Sequence, residues 1–119
     1  MWNNKFLAAL ILVVVFTSPR AALAYAIQGA GATSCAEFAK IYQVDPQIED
    51  AFFDWALGFM SAMNASVMVR DKPPRELAGV LVDQKRALRS YCANNPLKNY
   101  MDGVMEFYGK LRFIPTNSN

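Results

Sequence analysis

The residues of this chain best equipped for bond chemistry are its two cysteines, Cys35 and Cys92. They are not arranged as Cys-x-x-Cys, so the redox motif of thioredoxin-like proteins is missing. Two thiols in a chain without histidine also make a poor zinc set. The absence of histidine further removes the usual general base and the side chain that switches charge between pH 5 and 8. Glu49, Asp50 and Asp54 could be drawn together as acid–base carboxylates. Glu49 and Asp50, however, fall in the first turn of a predicted helix, where acidic residues complement the helix dipole. Ser34, Ser61, Ser66 and Ser90 have neither a histidine nor a Ser-x-x-Lys partner to activate them. The sequence therefore predicts no enzyme, no cofactor and no catalytic or metal site.

What the cysteines do depends on where the chain resides. Residues 1–24 read as a signal peptide, with Lys5 as the positive region, Phe6 to Phe16 as the apolar region and Ala22-Leu23-Ala24 as a small-x-small cleavage site. Cleavage after Ala26 is a second option. The apolar run is too short to span a bilayer, so no membrane role is expected once the leader has gone. Export implies an oxidising compartment, the periplasm, where two thiols pair. A Cys35–Cys92 bridge would close a loop of about 57 residues, and on the chain-entropy model that contributes about 4 kcal/mol.

The mature chain of about 95 residues is one domain with a limited core. Of the 12 basic residues, Lys5 and Arg20 lie in the leader, which leaves the rest balanced against the 10 acidic ones. Such a chain lacks the clustered basic face that nucleic acid requires, and it lacks a polybasic membrane patch. In acid its carboxylates neutralise, at ordinary values near ~4, and the net charge climbs towards about +10.

Helical spacing dominates the rest. Residues 25–33 form a Gly/Ala-rich, flexible lead-in. Ser34 and Glu37 fit a capping box opening a helix to about Gln43. Asp45-Pro46 starts a long helix whose apolar positions are Ile48, Phe52, Trp55, Ala56, Phe59, Met63 and Val67, widened by Phe53, Leu57, Met60 and Met68. Gly58 within it predicts the close approach of another backbone. Asn64-Ala65-Ser66 matches a glycosylation sequon, discounted because it lies inside a helix. Residues 70–75 break the helix, Asp83 caps a third with Leu88, Tyr91 and Cys92 inward, and Pro96 behind Asn95 starts a fourth carrying Leu97, Tyr100, Met101, Val104, Tyr108 and Leu111. Residues 114–119 form a loose tail. No stretch alternates with period two. The predicted fold is all-α, a small orthogonal bundle of about four helices over residues 34–113, with one disulfide.

The ordering resembles the HdeA/HdeB family of small periplasmic acid-stress chaperones. Ser34-Cys35-Ala36-Glu37-Phe38 matches its Cys-x-x-Phe opening, Leu57-Gly58-Phe59 through Asn64 its Gly-Phe…Asn segment, and Cys92 with the helix from Leu97 to Leu111 its end. The resemblance covers about residues 33–112. It implies a stapled helical protein, often dimeric when neutral, that loosens in acid and holds unfolding periplasmic proteins. Cys35 and Cys92 would be the staple. Phe52, Phe53, Trp55, Phe59, Met60 and Met63 would be a buried interface, with a second copy or within the core, that becomes client-facing. The segment between the cysteines is longer and richer in aromatics than the pattern. The layout is also similar to Rap/Tai-type immunity proteins, which neutralise a secreted effector by binding that one partner. An exported helical protein of unassigned role is the third reading.

Overall fold

The computed structural model describes residues 26–115; the expected leader and residues 116–119 lie outside them. A single 3-10 turn, Gly29–Ala32, leads into four helices: α1 (Cys35–Val44), α2 (Ile48–Met68), α3 (Leu81–Asn94) and α4 (Tyr100–Lys110). The fold is all-α, as the sequence predicts. The described residues contain no strand, only two isolated bridges, Ser34 with Asn99 and Arg75 with Phe113. None of their helices is long and apolar enough to cross a membrane.

Helix starts follow local chemistry, with shifts imposed by neighbours. Ser34 Oγ accepts from the Glu37 N–H at 3.1 Å, the expected cap of α1. Asp45 Oδ1 accepts from the Gln47 N–H at 3.1 Å. Ile48 and Glu49 then bond three residues back, to the carbonyls of Asp45 and Pro46, so the chain turns tightly into α2. Asp83 lies within the first turn of α3 rather than capping it.

The fourth helix begins at Tyr100 and not behind Pro96. The carbonyls of Pro96 and Lys98 accept the Ala36 and Cys35 N–H groups at 3.1 and 2.7 Å. They thereby satisfy two of the orphan donors at the start of α1, and a helix running through 96–99 would withdraw them. A full capping box between Asn99 and Asp102 opens α4 instead. Leu97 is consequently left on the outside, 96% exposed.

Aromatic packing forms the centre of the core. Phe38 of α1, Phe52 of α2 and Tyr100 of α4 meet with ring centroids 4.9 to 5.1 Å apart. Phe53, Ala56, Met60, Leu88, Val104 and Tyr108 complete it. Beside this cluster Cys35 and Cys92 form the disulfide, Cα atoms 4.6 Å apart, both residues buried. The staple joins the first turn of α1 to the last turn of α3.

Two glycines exchange their expected roles. A Cβ on Gly58 would meet nothing within 4 Å, so no backbone approaches it. The close approach is at Gly31 in the lead-in, where a Cβ would lie 2.0 Å from Trp55 Cη2. The segment expected to be a flexible lead-in therefore contains a turn laid against the indole, with Gly31 buried. A run of small residues without apolar periodicity hides such a contact, because the bulk is all on the Trp55 side. At the other end, Arg112 and Ile114 pair with the α2–α3 connection: the Ile114 N–H donates to Pro74 O at 2.8 Å and the Glu76 N–H to Arg112 O at 2.9 Å.

Candidate binding surface

From Trp55 to Val69 the chain holds no charged residue. Every fully buried residue of α2 lies at or before Met60, so the remaining two turns run along the surface. Trp55 and Phe59 stack with centroids 5.2 Å apart and planes 12° from parallel. Beyond them Phe59, Ala62, Met63, Ser66, Val67 and Arg70 line a shallow cleft of about 380 Å³. Met68 and Val69 continue the apolar character outward, 56% and 82% exposed. Arg70 closes the end by donating to the Ser66 carbonyl and hydroxyl.

The six residues assigned by resemblance divide along this helix. Phe52, Phe53 and Met60 are enclosed within the protomer, 7%, 1% and 1% exposed. Trp55, Phe59 and Met63 are half-buried at its rim; Phe59 and Met63 line the cleft, while Trp55 lies against the Gly29–Ala32 turn. A single apolar stripe cannot reveal this division, because a 3.6-residue period does not say where along the helix the core stops.

A polar hub missed by sequence reasoning pins the outer part of α2. Asn64 Nδ2 donates to the Arg75 carbonyl at 2.8 Å, and its Oδ1 accepts from the Arg75 N–H at 2.9 Å and the Tyr108 hydroxyl at 2.7 Å. Its carboxamide thus pairs with the edge of the Arg75 backbone opposite the Phe113 bridge, as a neighbouring strand would. The Arg75 guanidinium donates to the Leu111 carbonyl and lies over the Phe113 and Tyr108 rings, 4.2 and 5.4 Å from their centroids. The sequon amide is therefore engaged inside the fold. A single amide within the charge-free stretch of α2 was the available signal.

Charge gathers at the opposite end of α2. Arg89 of α3 pairs with the buried Glu49, and Lys85 with the exposed Asp50. Arg89 also lies 5.2 Å from the Tyr42 ring centroid on α1, beside a second apolar groove lined by Phe38, Ala39, Tyr42 and Ala93. Burial, aided by the Glu49 charge, holds the Tyr100 phenol well above its ordinary value of 10.0. Glu49 and Asp50 are thus cross-helix ion-pair partners. Among the described residues no three histidine, cysteine or carboxylate side chains gather as a metal site would require. Comparison with family models, curated proteins and solved structures found no match for the chain.

Proposed function

We propose that this chain is a small exported protein-binding domain of the holdase type, which presents the uncharged face of α2 to apolar segments of unfolding periplasmic proteins and does so more strongly in acid. The observation that carries the reading is the charge-free run from Trp55 to Val69, whose outer turns are exposed. A surface helix ordinarily carries charges on its solvent side. Omitting them leaves a face suited to being covered part of the time, by a client or by a second copy of the chain. Met63 and Met68 add adaptable, polarisable contact that tolerates varied partners. The resemblance to periplasmic acid-stress chaperones points the same way.

The acid response rests on overall charge: in strong acid the 10 acidic residues neutralise, and the remaining cations repel one another across a small domain. The test is a titration of the oxidised protein from pH 7 to 2, followed by near-ultraviolet circular dichroism and an apolar dye, with an aggregation assay on unrelated proteins. Loss of tertiary signal with suppression of aggregation is expected near pH 2–3, and Phe59→Asp should remove the suppression while leaving the neutral fold intact. A domain that stays rigid, dye-silent and inert towards clients in acid refutes the reading. The cleft is pre-formed in the folded domain, which favours the immunity-type reading as the alternative; tight binding of one secreted effector, without general client protection, would establish it.

A further inference from the structure

We propose that the cleft along the outer turns of α2 takes an extended apolar segment of a partner protein that ends in a carboxylate. The apolar side chains lie on Phe59, Met63 and Val67, and the carboxylate is held by Arg70. The inference rests on the reading of this face as a binding surface and adds the chemistry that the face selects.

Arg70 is the one charged residue among the six that line the cleft. Its guanidinium is exposed and fixed along one edge: Nε donates to the Ser66 carbonyl at 3.0 Å, and Nη2 donates to the Ser66 hydroxyl at 2.6 Å. Bonding to that carbonyl caps the end of α2, but it occupies only the side of the fork. Of the five N–H groups of a guanidinium these bonds use two, and the parallel pair at the Nη1–Nη2 end matches the two oxygens of a carboxylate. The ion pairs among the described residues are Lys85 with Asp50, Arg86 with Asp83, Arg89 with Glu49 and Lys110 with Glu106. None of them neutralises Arg70. Asp71, next along the chain, adopts a left-handed backbone (φ 54°) and lines a separate depression with Met68, Pro74 and Ile114.

Size and charge point to a peptide. From Phe59 to Arg70 the helix advances about 16 Å, the reach of about five residues of extended chain. Alternate side chains of such a segment point the same way, so the first and third can rest on the apolar lining while the fifth meets Arg70. Ala62 and Ser66, both small, leave room for its backbone. An anionic membrane surface would call for a cluster of basic residues, and the cleft has one.

Titration of the oxidised full chain at pH 7 and low salt with dansyl-Leu-Ser-Phe-Ser-Glu-amide and its Gln-ended counterpart, read by dansyl emission, tests this. The Glu peptide should bind about fivefold tighter, as expected of an exposed charged pair, and the margin should shrink on adding salt. Arg70→Gln should bring the Glu peptide down to the Gln peptide and leave the latter unchanged. Equal weakening of both peptides by Arg70→Gln overturns the inference, because an arginine that only caps α2 would act that way. Equal affinity of the parent for the two peptides, a comparison that needs no variant, overturns it and leaves the apolar face in use. Binding of neither peptide overturns it together with that face. Retention on vesicles of phosphatidylcholine and phosphatidylglycerol, without preference between the peptides, overturns it in favour of lipid.

Discussion

Replacing Asn64 by alanine deletes three hydrogen bonds at once, two with the Arg75 backbone and one from the Tyr108 hydroxyl. The site is part-buried, so the stranded groups regain some water and each bond is worth about 1 kcal/mol. The expected loss is therefore about 3 kcal/mol, against the roughly 0.5 kcal/mol typical of a surface substitution without partners. In a domain of this size each kcal/mol shifts the melting temperature by about 4–8 °C, so Asn64→Ala should melt about 12–24 °C below the parent. Urea unfolding of the oxidised protein by far-ultraviolet circular dichroism measures the loss directly. A cycle with Tyr108→Phe isolates one bond and should return a coupling of about 1 kcal/mol. If Asn64→Ala costs under about 0.5 kcal/mol, or if the coupling vanishes, the hub does not pin the helix.

The glycines give a contrast of sign. Gly31→Ala places a methyl within the Trp55 ring and should cost about 1–3 kcal/mol with a shift in Trp55 emission. Gly58→Ala meets empty space in an exposed helix interior and should stabilise by about 1 kcal/mol in the same urea assay. Among the acids, Glu49→Ala leaves the half-buried Arg89 unpaired and should cost about 1–2 kcal/mol, whereas Asp50→Ala, whose side chain is 72% exposed, should stay within about 1 kcal/mol. Tyr100 makes stability fall at alkaline pH. Its phenol is raised in the folded state, so its contribution is complete below about 10, where the unfolded chain titrates, and is lost as pH climbs towards the folded value. Tyr100→Phe should flatten that fall in denaturation curves taken above pH 10.

How far the sequence reaches is visible at particular residues. The helical spacing of Phe52, Ala56 and Met60, and of Tyr100, Val104 and Tyr108, marks core faces that the structure buries, because periodicity and burial share one cause. Ser34 and Asp45 announce helix starts since a cap is a contact three residues long at most. The pairing of Cys35 with Cys92 follows from there being no other cysteine.

Contacts between distant segments were decided by the tertiary structure. The start of α4 moved to Tyr100 because α1 needs the carbonyls of Pro96 and Lys98, about sixty residues away along the chain, an exchange no local pattern records. Gly31 is matched to Trp55, and Asn64 to Arg75 and Tyr108, by packing alone. The same holds for the candidate site. Composition shows that α2 lacks charge from Trp55 onward, but only the folded arrangement shows that its core ends at Met60 and leaves Met63, Val67 and their neighbours at the surface. Residue type fixes what a side chain can do, and the assembled helices fix which of those capacities face water.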